Sequence, residues 1–385
     1  MGSPTPASLE CRAMGRLGID ARKLDDYGIG SYLQGLLREM ALLDPPGGIV
    51  LLVASESRDL LPEIPESWRI IEVDAPGYSI REQAAVLAAA MRARVDLLHV
   101  PHYVLPWLFP HRMVVTVHDI IHVLFPEFLR SSLGFAYARL SIRAAVRRAR
   151  RVITGSRTTA DDLVRLFGAS ERRLRVIPHG VHSEFLAAGD PVADEETRAR
   201  LGIAGPYLLH VGNNKPHKNA EGLLKAYQLL VHDGHGPVPP LLMVGGFAPE
   251  GELAVRARAM GLGEQVRCLG HVERTELAAL FRGAAVFVYP TLYEGFGLPV
   301  LEAMACGVPV VAGDIPAIRE MAGDAVMRVN PRDVVDLAAA VRHLLEQADL
   351  QRRLGEHGRA RALGFQWRKT AETTLDVYRA VREES

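Results

Sequence analysis

A chain of 385 residues with 45 Lys+Arg against 45 Asp+Glu has no formal net charge, so its overall balance gives no reason to expect a nucleic-acid partner. Its three cysteines, Cys11, Cys268 and Cys306, lack metal or redox spacing, and their odd number suits a reducing cytoplasm. No apolar run reaches the roughly 18 residues that span a bilayer, and the length suggests two or three domains.

The opening MGSPTPASLECRAMGR has no apolar signal region, and Pro6 stands where N-myristoylation needs Ser or Thr; residues 1–15 read as a disordered extension. RLGIDA (16–21) is a short apolar strand. After a Gly-containing loop, Leu33, Leu36, Leu37 and Met40 fall at helical spacing. GIVLLVA (48–54) is a buried strand, REQAAVLAAAMRAR (81–94) a helix, and VDLLHVP (95–101) and MVVTVHD (113–119) are strands. RLSIRAAVRRARR (139–151) reads as a basic, partly amphipathic helix, either an ordinary solvated face or a membrane contact. RVITGS (151–156) leads into RTTADDLVRLFG, with Ser156 or Thr158 as cap and Gly168 as stop. LRVIPHG (174–180) closes this half.

A polar segment, 186–200, precedes a second alternating set. Strands are expected at YLLHVG (207–212), PLLMVGG (240–246), QVRCLGHV (265–272), AVFVYP (285–290) and GVPVVAG (307–313). Helices are expected at AEGLLKAYQLLV (220–231), GELAVRARAMG and TELAALFRGA, and 331–385 is mostly helical. Strands this apolar, alternating with helices, belong to parallel sheets covered on both faces. The expectation is an α/β chain of two doubly wound, Rossmann-like domains, residues 16–187 and 200–365, facing a cleft. Ligands in such sheets sit outside the carboxyl ends of the strands, and each motif below follows a strand.

After the strand at 207–212 comes NNKPHKN, with Asn213, Lys215, His217 and Lys218 in a loop that Asn219 is expected to cap into a helix. Lysine beside a helix N-terminus favours phosphate, although loop lysines are more often plain surface. After the strand at 285–290 comes TLYEGFGLPVLEA. Gly295 and Gly297 permit close backbone approach, Pro299 suits a first helical turn, and Glu302 is expected in that turn. Glu294 and Glu302 can each grip a pair of sugar hydroxyls; either alone reads as a turn or dipole residue. In DDYGIGSY, Gly28 and Gly30 are expected to precede a helix with their amides facing phosphates, although a Gly-x-Gly is usually only a turn. His118 and His122 are four apart, but the strand pattern around them and the absence of HExxH argue against metal.

YEGFGLPVLEAMACGVPVVAGDIPAIREMAGDAVMRVNP closely resembles the Glu-x7-Glu region of the retaining GT-B glycosyltransferases of family 4, the mannosyltransferase-like group 1 transferases. GIDARKLDDYGIGSYLQGLL, VVTVHDIIHVLFPE, VITGSRTTADDLVRLFG, LRVIPHGVHSEF, YLLHVGNNKPHKN and LGHVERTELAALFRGAAVFVYPTLYEGFG follow in that family's order and spacing, from Arg16 to about Tyr378. The resemblance implies a nucleotide-sugar donor held by residues 200–365 and an acceptor side in 16–187, with a final helix, 366–385, crossing back onto the first domain.

Residue by residue, Lys218 matches the family's phosphate-binding lysine, Glu302 its ribose-binding glutamate and Glu294 the one that meets the donor hexose. Backbone groups of Phe296, Gly297 and Leu298 meet phosphates or sugar, and those of His271 and Val272 hold the base. Gly30 and Asn213 belong to the donor side; Tyr27, Gly28 and Asp119 to the acceptor side. His118 lies beside the donor sugar, as a catalytic residue with Lys218 and Glu294. Family members often carry Arg before the lysine; His217 stands there, so Lys215 or His217 supplies the second positive charge.

The implied activity is metal-independent hexosyl transfer, without a cofactor, from a GDP- or UDP-sugar to a sugar or lipid-linked acceptor, with retention of configuration. TVHDIIHVLFPE leans toward GDP-mannose and cell-surface polysaccharide or glycoconjugate assembly, by a cytoplasmic enzyme in peripheral contact with the inner membrane face. The rival readings are a GT-B sugar-nucleotide epimerase and an inactive nucleotide-sugar-binding module. A nicotinamide dehydrogenase is excluded, because GIGSY does not continue as G-x-G-x-x-G.

Overall fold

The computed structural model describes residues 16–384 apart from Pro76, Tyr78, 127–131 and His235; the expected extension 1–15, with Cys11, lies outside the described residues. The chain divides into two units by its contacts, one of residues up to Gly180 together with Gln366–Ser385, the other Val181–Phe365. Val181 and Phe185 sit in the second unit's core, so the stretch after Gly180 packs there.

The first unit is built on seven parallel strands: β1 (Arg16–Asp20), β2 (Ile49–Val53), β3 (Arg69–Glu72), β4 (Val95–Val100), β5 (Arg112–Val117), β6 (Arg151–Thr154) and β7 (Leu174–Val176). Their order is β3-β2-β1-β4-β5-β6-β7. Side chains alternate across a strand, and on β2 this sends Val50 and Leu52 into one buried cluster and Ile49, Leu51 and Val53 into another. Burial on both faces explains why β2 reads as an unbroken apolar run. The final helix, Trp367–Glu383, packs in this unit against helix Tyr27–Leu43, where Val377, Tyr378 and Val381 share a cluster with Leu33, Leu36 and Leu37. Its C-terminal end is tied down by Arg112, which donates to the Glu384 carbonyl at 2.6 Å, and by an Arg151–Glu384 ion pair.

The second unit has six parallel strands: β8 (Leu208–Asn213), β9 (Leu241–Gly246), β10 (Val266–Gly270), β11 (Val286–Tyr289), β12 (Val310–Gly313) and β13 (Met327–Val329), in the order β10-β9-β8-β11-β12-β13. Phe287 and Tyr289 face one cluster, Val286 and Val288 the other.

Some expectations change. Ser156, not Thr158, is the cap: its hydroxyl accepts from the Thr159 amide at 3.1 Å, and Gly168 ends that helix at φ 65°. The basic helix runs Ser132–Arg148, and Arg151 belongs to β6. The polar segment 186–200 holds a helix, Pro191–Arg200, capped by Asp190 and pinned by a two-pronged Asp194–Arg282 pair at 2.6 Å for each bond. β3 and β13 lie at sheet edges, and the apolar run in each is too short to read as a strand. No helix among the described residues is long and apolar enough to cross a membrane.

Candidate active site

In the second sheet the strand order reverses between β8 and β11, the position where doubly wound sheets bind ligands. β8 leads into a tight turn, Pro216–Lys218, and Asn213 Oδ1 accepts from the Lys215 amide at 3.2 Å. β11 leads into the glycine-rich stretch, where Gly297 at φ 99° precedes helix Leu298–Ala305. The positive φ favours glycine there, and a Cβ would also press on Ile318 Cδ1 at 2.7 Å.

The two loops are stitched together. The His217 carbonyl accepts from the Leu292 amide at 2.7 Å and lies 3.0 Å from Thr291 Oγ1. Asn219 stands at the helix N-cap position but makes no capping bond there. At φ 57° its amide nitrogen instead donates to the carbonyls of Pro290 (3.1 Å) and Pro331 (2.6 Å). It therefore acts as a cross-loop clamp and not as the expected cap.

The stitching brings together Lys218 and Glu294, which are 76 residues apart: Lys218 Nζ donates to Glu294 Oε1 at 2.7 Å and to the Tyr289 hydroxyl at 2.7 Å. Tyr289 in turn donates to Glu294 Oε1 at 2.8 Å, and Thr291 Oγ1 lies 2.9 Å from that oxygen. The two charged side chains are only 14% and 12% exposed. Burial alone would raise the Glu294 pKa. The Lys218 charge and hydrogen bond, with His217 and Tyr289, reverse that and hold it below its ordinary value. Beneath them His210 donates through Nδ1 to the Val288 carbonyl at 2.9 Å; burial, opposed by that bond, lowers its pKa to about 4 and keeps it neutral.

Glu302 lies in the second turn of helix Leu298–Ala305, not the first, so a helix-dipole role does not account for it. It is buried, and burial pushes its pKa up to about 8, with Glu184 adding and Arg274 opposing. Lys215 is exposed and His217 buried. Phe296 is buried ahead of the helix, and Leu298 opens it. After β10, His271 is exposed and Val272 packs on the core, just before helix Arg274–Gly283. These residues surround the carboxyl ends of β8, β10 and β11.

In the first unit the order reverses between β1 and β4. Gly28 and Gly30 lie inside helix Tyr27–Leu43, not before it. The Gly30 amide donates to the Asp26 carbonyl, and a Cβ there would sit 2.3 Å from the Leu24 carbonyl oxygen. Gly30 is thus a packing glycine whose amide is already bonded, a correction to the expected phosphate contact. Tyr27 is exposed at the helix start. His118, at the end of β5, is half-buried, with Nε2 2.9 Å from the Pro101 carbonyl oxygen. Burial, against the Pro101 bond, lowers its pKa to about 4, so it is neutral at pH 7. Asp119 Oδ1 accepts from the Ile121 amide at 3.0 Å and so shapes the following turn.

Sequence reasoning passed over two buried networks in this unit. Asp20 and Arg22 form a two-pronged pair, 2.8 Å for each bond, and Arg22 also reaches Glu82 at 3.0 Å. His102 Nε2 stands 3.6 Å from Asp20. The signal was present in GIDAR, an acid and a base at the end of an apolar strand. Separately, Tyr378 of the final helix lies 2.6 Å from His99 Nδ1, and His99 Nε2 is 2.8 Å from Thr116 Oγ1. Among the described residues, no group of three or more His, Cys, Asp and Glu is placed to hold a metal ion.

Comparison with known proteins follows the same division. The family model "Glycosyltransferase Family 4" matches residues 28–185, and "Glycosyl transferases group 1" matches residues 193–361. The O-antigen chain mannosyltransferase B of Escherichia coli is 32% identical over 298 residues, which are 76% of this chain and 76% of that one. A D-inositol 3-phosphate glycosyltransferase of Xylanimonas cellulosilytica is 30% identical over 94% of this chain and 95% of its own. HepE of Anabaena, solved in complex with UDP-glucose, shares the fold at a TM-score of 0.76 and 17% identity, covering 95% of this chain and 100% of that one. With both halves matched and a relative this similar over three quarters of its length, the chain belongs to the group 1, family 4 glycosyltransferases, enzymes built on two Rossmann-like domains.

Proposed function

We propose that this glycosyltransferase moves a hexosyl unit, with mannose favoured, from a nucleoside-diphosphate sugar to an acceptor hydroxyl with retention of configuration, in polysaccharide or glycoconjugate assembly. The observation that carries the reading is the Lys218–Tyr289–Glu294 cluster at the reversal point of the second sheet. The ammonium of Lys218 has three N–H groups. Two go to Tyr289 and Glu294, which leaves the third for the diphosphate. Glu294 Oε1 collects the protein's hydrogen bonds, and Oε2 is assigned to hexose hydroxyls.

Glu302 takes the ribose diol, and His271 and Val272 take the base through their backbone. The backbone at Phe296, Gly297 and Leu298, at the start of helix Leu298–Ala305, takes phosphate or sugar oxygens. Lys215, exposed beside Asn213, is a better second cation for the diphosphate than His217, which is buried under the loop. As the glycosidic bond breaks, negative charge grows on the departing diphosphate, and Lys218 stabilises it most at that moment. No protein nucleophile is assigned; the acceptor attacks the face the diphosphate leaves, through an oxocarbenium-like transition state. No cofactor or metal is assigned a part. His118 and the acceptor-side residues Asp119, Tyr27 and Gly28 belong to the first unit.

The reading of GDP-mannose as donor is supported by the O-antigen mannosyltransferase relative; HepE, whose structure holds UDP-glucose, keeps UDP-sugars as the alternative. A lipid-linked acceptor fits helix Ser132–Arg148, where Leu133 and Leu140 are 81% and 53% exposed beside exposed Arg139, Arg143 and Arg147. A thermal-shift screen of UDP, GDP, ADP and dTDP with their sugars tests the donor class. Stabilisation by one diphosphate and its sugar is expected; no stabilisation by any of them would sink the reading.

A further inference from the structure

The geometry points to His179 and Trp367 as positioning residues that hold the His118 ring in one orientation, making the C-terminal helix part of the first unit's reacting surface. This rests on the reading above, in which His118 meets the donor sugar. A backbone carbonyl only accepts hydrogen bonds, so the 2.9 Å contact to Pro101 O places a proton on His118 Nε2. In neutral imidazole the other nitrogen, Nδ1, is then an acceptor. His179 Nε2 stands 3.4 Å from it and is the donor, so Pro101 fixes the proton on His118 and His179 satisfies the nitrogen left bare. The contact is long for a hydrogen bond, so the rings are kept in place by packing as much as by the bond itself.

That packing is built from backbone that has given up its side chains. The His179 ring stacks on the Trp367 indole, with centroids 6.0 Å apart and planes 17° from parallel. Tyr32 closes the third side, 5.0 Å from His179 and 4.8 Å from His118, edge-on to the latter. Three glycines make room for the stack. A Cβ on Gly155 would lie 2.8 Å from His179 Nε2, one on Gly35 2.3 Å from the Trp367 ring, and one on Gly180 2.1 Å from the Trp367 amide nitrogen. Burial and the His118 ring keep the His179 pKa well below its ordinary value, so both imidazoles are neutral, as the bonding pattern requires. The other titratable groups that act on His118 are His99, His102 and Asp26. Trp367 opens the final helix, so the order of the first unit's candidate catalytic histidine depends on a residue near the end of the chain.

The test uses the full chain with ring-nitrogen-labelled histidine, the His118 signals being assigned by their loss in His118→Gln. Wild-type protein at pH 7 should show His118 with Nε2 protonated and Nδ1 bare. His179→Phe keeps the stack and removes the donor; the bare Nδ1 of His118 should then lose its hydrogen-bonded nitrogen shift, while Nε2 keeps its proton through Pro101. His179→Gln, which restores an N–H, should return the wild-type pattern. Gly155→Ala, which pushes on His179 from the other side, should reproduce the His179→Phe spectrum if that variant itself does not fold. Unchanged His118 signals in His179→Phe or Gly155→Ala would overturn the proposal. With GDP-mannose as the donor probe, kcat should fall at least ten-fold in His179→Phe while KM stays within two-fold. Altered signals with unchanged turnover would keep the positioning and remove His118 from the chemistry.

Discussion

Replacing Lys218 by Ala should reveal a stability cost whose pH dependence identifies the buried pair. In the wild type, Glu294 accepts bonds from Lys218 and Tyr289 while only 12% exposed. Removing the ammonium leaves a desolvated carboxylate against a phenol. Breaking a buried pair in this way costs about 3–5 kcal/mol. The remaining exposure of both side chains favours the lower end, about 3 kcal/mol, or roughly 6–12 °C in the melting of a unit this size. The folded Glu294 pKa lies below its unfolded value of 4.5, so the pair's contribution is present above that pH and is lost as pH falls through the folded value. The gap between wild type and Lys218→Ala should therefore be wide at pH 7 and narrow as pH falls below 4.5 and through the folded wild-type value, where the carboxyl becomes protonated in both. Guanidinium unfolding, followed at several pH values with probes in each unit, measures it. Lys218→Ala/Glu294→Gln should recover more than half of the loss at pH 7. A gap that does not vary with pH, or a double variant no better than the single, would refute the paired-charge account.

Glu302 should behave in the opposite sense. Its folded pKa, about 8, lies above the unfolded 4.5, so stability is fully present below pH 4.5 and is lost as pH rises through 8. Glu302→Gln should match wild type at pH 4.5 and exceed it by up to roughly 4–5 kcal/mol at pH 9, by the linkage between protonation and folding; equal pH slopes in the two proteins would place Glu302 in water. Treatment with EDTA should leave transfer within about two-fold of the untreated rate if Lys218, as proposed, neutralises the departing diphosphate; loss restored by Mg or Mn ions would reverse this.

The fold was legible because apolar strands alternated with helical stretches, and a strand buried on both faces, such as β2, leaves a plain apolar run. β3 and β13 escaped notice because an edge strand needs few apolar residues: RIIE is charged at both ends. The candidate site residues of the second unit were legible singly, each following a strand. Their pairing was not legible, because the 76-residue separation of Lys218 and Glu294 closes only through the reversal of strand order between β8 and β11. Local pattern also misplaced Gly30, whose role is contact with Leu24, and Asn219, whose side-chain amide bonds the Pro290 and Pro331 carbonyls and makes no capping bond. The clamp on His118 was invisible for the same reason, since Tyr32, His179 and Trp367 lie far apart in sequence.

The central claim is that the second unit divides a nucleotide sugar between two glutamates, Glu302 at the ribose and Glu294 at the hexose. Calorimetric titration of wild type, Glu302→Ala and Glu294→Gln with free GDP and with GDP-mannose tests it directly, with UDP and UDP-glucose in their place if the stability screen selects uridine. Glu302→Ala should weaken the diphosphate and its sugar by similar factors, about ten-fold for a lost hydrogen bond. Glu294→Gln should leave free diphosphate affinity within about two-fold and weaken only the sugar-bearing ligand. Equal loss of free diphosphate binding in both variants would contradict the division and make the two glutamates a single scaffold for the phosphate loop.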